Sequence, residues 1–365
     1  MAGVYISYPF CAQKCTYCNF ASGVFPRELE TKYLDTLLDE LRGAPWNWTP
    51  ETIYLGGGTP SQMDVDRLAA VLREIPSESG VQKWTEATME AAPGTITIER
   101  AAAWARAGIN RVSLGVQSFV ARELARTGRK HTAEIVESDV RVLHDAGITN
   151  INIDLISGLP GQTRASWEES IAWVERIGAP HVSVYMLEVD EDSRLGRELL
   201  FHGTRYGASD VPGDEQIADF YEVAVERLAR MGIARYEISN FARPGFESRH
   251  NLKYWRREPY LGFGADAHSF DGEWRWSNVE SAAEYVAQPP VKDRSPADPL
   301  AEKYFLGLRL TEGISDEPGP FDSAIERHVR DGLLERVSGR LRLTPRGVML
   351  SNEVFAEFVG EPAHH

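Results

Sequence analysis

Residues 11–18 read CAQKCTYC and hold Cys11, Cys15 and Cys18, the only cysteines in 365 residues. An odd number of thiols so closely spaced is a poor disulfide framework. The preceding MAGVYISYPF has neither a basic start nor a long apolar run, and no stretch long enough to span a bilayer follows. A reducing, cytoplasmic location is therefore expected, where clustered thiols bind metal or do catalysis. Structural zinc takes four ligands, usually as two separated pairs. No second Cys/His pair follows, and His131 and His144 stand far off in sequence. A cubane iron–sulfur cluster is held by thiolates, four in a complete site. Three thiolates leave one iron open, and an open metal position is where a substrate binds.

Elements able to position such a loop surround it. Apolar or β-rich runs at 4–9, 52–57, 84–92, 111–118, 150–159 and 181–189 alternate with helix-period runs at 28–43, 63–75, 97–108, 133–147 and 165–178. Several helical runs end on glycine, and Ser61 with Asp64 reads as a capping box before the second helix. Repeated strand-then-helix units imply a parallel sheet with right-handed crossovers. In barrels built this way the chemistry gathers at the C-terminal strand ends.

Those ends carry the remaining candidates. YLGGGTPS places Gly56, Gly57, Gly58, Thr59 and Pro60 after the second strand. Such glycines serve a tight turn or let backbone approach a ligand, and the stretch lacks the GK[ST] of a phosphate loop. Glu90, Gln117 and Asp154 stand in or beside three later strands, where a polar side chain among apolar ones needs a partner or a task. Arg129, in LARTGRKH, has a guanidinium fork suited to a carboxylate. Tyr5, in the first strand, is placed to pack beside the thiol loop.

C-x3-C-x2-C on a loop just after an N-terminal strand resembles the radical S-adenosylmethionine (SAM) superfamily. The resemblance implies an α/β fold, a partial (β/α)6 barrel, and a 4Fe–4S cluster on Cys11, Cys15 and Cys18 whose open iron chelates SAM. YISYPFCAQKCTYCNF, YLGGGTPS, SLGVQSF, DLISGLPGQT, YEISNFARPG and RHNLKYW together resemble the HemW family of haem chaperones. More distantly they resemble the HemN family of oxygen-independent coproporphyrinogen III oxidases. This likeness implies SAM contacts from Tyr5, Gly57, Gly58, Thr59, Glu90, Gln117, Arg129 and Asp154, with a looser match near Leu187 and Glu188.

Two features separate the families. The oxidase pattern has a further Cys two residues after the third, where this chain has Phe20. HNLKYW resembles the HNxxYW signature associated with haem, which implies an iron ligand at His250 and a porphyrin packed near Tyr254 and Trp255. His268, in GADAHSF, is the alternative ligand. On the residues alone, His250 reads as a surface hydrogen-bonder and Tyr254 and Trp255 as core; the whole motif favours haem. The implied function is haem binding and transfer to apo-haemoproteins, with radical oxidation of coproporphyrinogen III as the alternative. The implied partners are haem or porphyrin, a recipient apoprotein and an electron donor, with membrane contact only through a recipient. A net charge of −15 opposes nucleic-acid binding. The expected organisation is a barrel over 1–190 and an extension carrying HNLKYW over 191–286. A Pro-rich linker over 287–299 and a winged-helix-like module over 300–360 follow, the module's fold not fixing its function.

Overall fold

Apolar alternation sets the central sheet. A computed structural model describes residues 2–77, 83–287 and 294–359. It begins with strand β1 (Ala2–Tyr8), helix α1 (Arg27–Arg42), β2 (Pro50–Gly57), α2 (Val65–Arg73), β3 (Glu86–Ala91) and α3 (Ile98–Arg106). There follow β4 (Arg111–Gln117), α4 (Ala121–Thr127), α5 (Ala133–Asp145), β5 (Asn150–Ser157), α6 (Arg164–Ile177) and β6 (His181–Met186). Val4 and Ile6, Ile53 and Leu55, Ala87 and Met89, Val112 and Leu114, Ile151 and Ile153, and Val182 and Val184 are all buried in one core. The same core takes in the apolar faces of the crossover helices, such as Leu34, Leu37 and Leu41 of α1. Burying each such side chain contributes about 1.5–3 kcal/mol.

β1 to β6 pair in parallel and in chain order. The next elements are α7 (Arg194–Leu200), α8 (Asp214–Arg230), β7 (Ala234–Arg235), β8 (Asn240–Ala242), α9 (Arg249–Trp255), β9 (Tyr260–Phe263), β10 (His268–Phe270), β11 (Trp274–Ser277), α10 (Ala282–Ala287) and β12 (Ser295–Pro296). They add strands to both edges of the barrel sheet. β8 joins β6 antiparallel, and β9 joins β1 in parallel. The twelve strands run β12-β11-β10-β9-β1-β2-β3-β4-β5-β6-β8-β7, and the two ends do not meet. The fold is therefore a partial radical SAM-type barrel, widened beyond its six core strands.

Residues beyond Pro299 form α11 (Pro299–Gly307), β13 (Ile314–Ser315), α12 (Asp322–Arg330), β14 (Leu334–Val337), β15 (Arg340–Leu343), α13 (Pro345–Met349) and α14 (Ser351–Ala356). Their small sheet runs β13-β15-β14, with α12 before the β14–β15 hairpin and α13 after it. The expected linker falls partly on 288–293, outside the described residues. No helix among the described residues is long and apolar enough to cross a membrane.

Two local expectations are corrected. α4 was not expected. The capping box at Ser61 does not form: Asp64 alone caps α2, accepting from the backbone N–H of Asp66 and Arg67 at 3.0 and 3.2 Å. Ser61 instead pairs with the Thr95 hydroxyl at 2.7 Å and accepts from the Ala92 N–H, tying the second and third strand ends together.

Candidate functional site

The thiol loop is closed at its neck and fastened on two sides. The Cys11 N–H donates to the Gly23 carbonyl at 2.8 Å, and the Gly23 N–H to that of Pro9 at 2.9 Å. On one side the Thr16 N–H donates to Thr127 O and Gln13 Nε2 to Gly128 O. On the other the Leu195 N–H donates to Thr16 O, and Asn19 Nδ2 to Asp190 Oδ2 at 3.0 Å. Cys11, Cys15 and Cys18 are free and half-buried. Burial raises the Cys11 thiol, opposed by the hydroxyls of Thr59 and Ser22, while Cys18 and Cys15 are near enough to raise it further. Among the described residues no three Cys, His, Asp or Glu side chains close on a single metal ion. Three thiols within electrostatic reach of one another are the donor set a cluster with one open iron would take.

Glycine serves this loop for a reason the sequence reading did not give. A Cβ at Gly58 would stand 2.7 Å from Phe10 O and 2.8 Å from Phe10 N. The Gly58 N–H donates to Tyr8 O, and the Thr59 N–H to Phe10 O. The thiol loop thus leaves β1 directly over the glycine turn, backbone on backbone. Gly57 has φ +108°, which disfavours any side chain.

The face of the sheet opposite the core is polar. Thr52 and Tyr54, Glu86, Thr88 and Glu90, Arg111 and Ser113, Asn152 and Asp154, and His181 and Ser183 alternate with the apolar residues along their strands. Glu90 and Asp154 are thus two members of a polar lumen rather than exceptions in apolar strands. Glu90 accepts from the Tyr54 hydroxyl at 2.9 Å and from the Gly57 N–H at 3.2 Å. Burial, and then the charge of Asp154, push its carboxyl up to about 7. Asp154 accepts from Ser113 Oγ at 3.0 Å and Asn152 Nδ2 at 2.7 Å, and burial raises it too. Tyr5 stacks beside Tyr54, with ring centres 6.1 Å apart.

Arg129 joins this group to the thiol loop. Its Nε donates to the Tyr17 hydroxyl at 3.1 Å, and its Nη1 to Gly115 O at 2.6 Å. A Cβ at Gly115 would come within 3.2 Å of Gln117 Nε2 and 3.5 Å of Arg129 Nη2. Gln117 holds φ +68°, a conformation costing about 1–3 kcal/mol in a non-glycine residue. Gly57, Gly58, Thr59, Glu90, Gln117, Arg129 and Asp154 are therefore gathered toward the thiol loop at the C-terminal side of the sheet, while Tyr5 lies mid-strand against Tyr54. Tyr17 and Gly115 belong to the same group and were missed. The aromatic inside CTYC was the available signal for Tyr17.

HNLKYW lies at the other end of the lumen. The Ser248 side chain caps α9, and Glu86, on the lumen face at the start of β3, accepts from the Arg249 and His250 backbone N–H groups at 2.9 Å. His250 is fully buried; its Nδ1 pairs with Thr52 Oγ1 at 2.9 Å and its Nε2 with the Tyr254 hydroxyl at 2.7 Å. Burial, then the charges of Lys253 and Arg111, lower its pKa to about 3. In this fold both of its ring nitrogens are engaged by neighbouring hydroxyls. Tyr254 packs edge-on against Tyr260 at 4.6 Å, and the Arg309 guanidinium covers the Trp255 ring at 4.4 Å. His250, Tyr254 and Trp255 thus fill the barrel floor. His268 is 69% exposed and faces Asp266, so it remains the accessible histidine of the pair.

Floor and mouth are wired together. The Ser248 N–H donates to the Tyr236 hydroxyl at 3.1 Å, and that hydroxyl meets His181 Nε2 at 2.9 Å. His181 Nδ1 meets Asn152 Oδ1 at 2.6 Å, and Asn152 Nδ2 reaches Asp154. Since the Asn152 amide nitrogen is already donating, its oxygen accepts, so His181 carries its proton on Nδ1. Burial, then Arg111, keep His181 neutral.

The chain matches the radical SAM superfamily model over residues 5–174. It is 34% identical to the heme chaperone HemW of Bacillus subtilis over 99% of this chain and 100% of the other. The chain belongs to the HemW family. The HemW of Mycobacterium tuberculosis is 35% identical, over 98% and 95% of the two chains. Among solved structures, the HemN coproporphyrinogen III oxidase of Escherichia coli superimposes with a TM-score of 0.80, covering 98% of this chain and 89% of that one at 20% identity. That likeness speaks for the fold. Membership of the superfamily implies a 4Fe–4S cluster and SAM, and the half-buried thiol loop beside two raised carboxyls suits both.

Proposed function

We propose that the protein is a haem chaperone that binds haem and passes it to apo-haemoproteins, using the radical SAM barrel as its scaffold. The observation that carries the reading is likeness along essentially the whole chain to relatives named heme chaperone. Phe20, where the oxidase pattern has a thiol, supports it. In this reading Cys11, Cys15 and Cys18 hold the cluster, which when bound supplies electrons to SAM. Tyr5, Gly57, Gly58, Thr59, Gln117 and Arg129 position SAM, and Glu90 and Asp154 offer negative charge to its cationic groups. Arg129 orients the thiol loop through Tyr17. The barrel over 1–190, the extension over 191–286 and the module over 300–360 act as three functional regions, and the last covers the barrel or meets a recipient. His250 beside Tyr254 and Trp255, or His268 as the exposed alternative, is the iron ligand in this reading. Haem, a recipient apo-haemoprotein and an electron donor are the partners, in the cytoplasm, with the membrane reached only through a recipient.

The rival reading is oxidative decarboxylation of coproporphyrinogen III, favoured by the barrel's likeness to HemN. Both are tested on one anaerobic preparation with iron, sulfide and haem assayed together. Stoichiometric haem retention without loss of propionate carboxyls from coproporphyrinogen is expected. Turnover of coproporphyrinogen with no haem retained would reverse the assignment.

A further inference from the structure

The outward face of α9 borders a cavity of about 510 Å³ between the barrel floor and the turn into the C-terminal module. Arg249, Leu252 and Arg256, at helical spacing, form one wall; Arg235 and Tyr236 form another, and Leu310 closes the third. Three guanidinium groups on one cavity stand out in a chain of net charge −15. Two acids also line it. Glu247 accepts from the Gly245 N–H at 2.9 Å, and Glu312 meets Arg256 at a loose 3.4 Å. The exposed Arg249 side chain makes no hydrogen bond or ion pair among the described residues. It is a half-open cleft, wide enough to seat one edge of a small organic ligand. Guanidinium forks take carboxylates in pairs of parallel hydrogen bonds.

The same helix therefore does two jobs. His250 and Tyr254 turn inward and plug the floor, while Arg249, Leu252 and Arg256 turn outward on the cavity. We propose that this cavity binds the carboxylate edge of a porphyrin, Arg249 and Arg256 taking its propionates and Leu252 and Leu310 meeting the ring. This rests on the haem reading above and names a site for it that does not need His250 as ligand. Tyr236 lies on the cavity wall while its hydroxyl holds His181, so an occupant would touch the hydrogen-bond chain that ends at Asp154.

The test compares haemin with haemin dimethyl ester, which keeps the ring and iron but lacks free carboxylates. Binding is followed by quenching of tryptophan fluorescence on the cluster-loaded protein. The parent is expected to bind haemin at least tenfold more tightly than the ester, since a charge-assisted hydrogen bond is worth roughly that factor. Arg249→Gln with Arg256→Gln should bind both equally, with cluster iron and melting temperature unchanged. Both side chains are exposed, so the fold should tolerate the change. Should the double variant keep the preference, the propionates sit elsewhere, and Arg309→Met at the Trp255 face becomes the variant to measure. Displacement of haemin by millimolar inorganic phosphate or citrate would make this a general anion site and overturn the porphyrin assignment. A parent that binds neither ligand sinks the haem reading itself. A parent that binds haemin, with a variant that still discriminates, sinks only this inference.

Discussion

Replacing Glu90 by glutamine isolates the charge at the mouth of the lumen. Burial and Asp154 raise this carboxyl from 4.5 to about 7. Between those values the folded protein binds more protons at Glu90 than the unfolded chain does. Its contribution is therefore full below the unfolded value and is lost as pH rises through the folded one. At about 1.4 kcal/mol per pKa unit the shift corresponds to about 3 kcal/mol. Glu90 keeps partial solvent exposure, so this is an upper limit. Glutamine has the donor and acceptor inventory of the protonated carboxyl: its carbonyl oxygen can accept from the Gly57 N–H, and its amide N–H can donate to the Tyr54 hydroxyl oxygen. E90Q is thus expected to match the parent to within about 1 kcal/mol near pH 4, and to be more stable by about 1–2 kcal/mol near pH 8.5. The assay is an anaerobic melting or urea series at both pH values, without SAM. With SAM, parent affinity should rise as pH passes 7 and ionises Glu90, while that of E90Q stays flat. Parallel stability curves for parent and variant would refute the assignment of a raised carboxyl here.

Each of Cys11→Ser, Cys15→Ser and Cys18→Ser should lose most of its cluster iron after anaerobic reconstitution; full occupancy in any one removes that thiol from the ligand set. Arg129→Ala and Tyr17→Phe should each weaken SAM binding in calorimetry, Arg129 by roughly tenfold or more because a charged partner is lost; unchanged affinity in both places SAM elsewhere. Gly57→Val is a poorer probe, since φ +108° strains any side chain before a ligand is involved. His181→Leu strands Asn152 and Tyr236, costing about 1–3 kcal/mol, and should lower SAM affinity through Asp154. His181→Gln, which can both donate and accept, should restore it; a loss of stability with no change in SAM affinity would reduce the chain to scaffolding.

The six strand-and-helix units were legible because each strand is bounded by glycine or polar turns and each crossover helix has a 3.6-residue apolar stripe. The thiol loop and the strand-end candidates were legible for the same reason, since parallel order fixes which ends meet. The edges were not. β7, β8, β10 and β12 are two or three residues long, too short to carry a period, and exist only because β1 and β6 offer open edges. The polar lumen was read as isolated polar residues in apolar runs, although Thr52, Glu86, Arg111, Asn152 and His181 alternate strictly with core residues. The orientation of HNLKYW was not legible. A seven-residue helix says which residues share a face, but its burial depends on Glu86 and Thr52, more than 160 positions away in sequence.

The central claim is haem delivery by a cluster-bearing barrel. The most direct measurement mixes anaerobically reconstituted, haem-loaded protein with an apo-haemoprotein and follows the recipient's Soret band and recovered activity, with coproporphyrinogen III offered to the same preparation. Stoichiometric haem transfer is expected, with less haem loaded and so less delivered by Arg249→Gln/Arg256→Gln, and no decarboxylated porphyrinogen. Decarboxylation without transfer would contradict it.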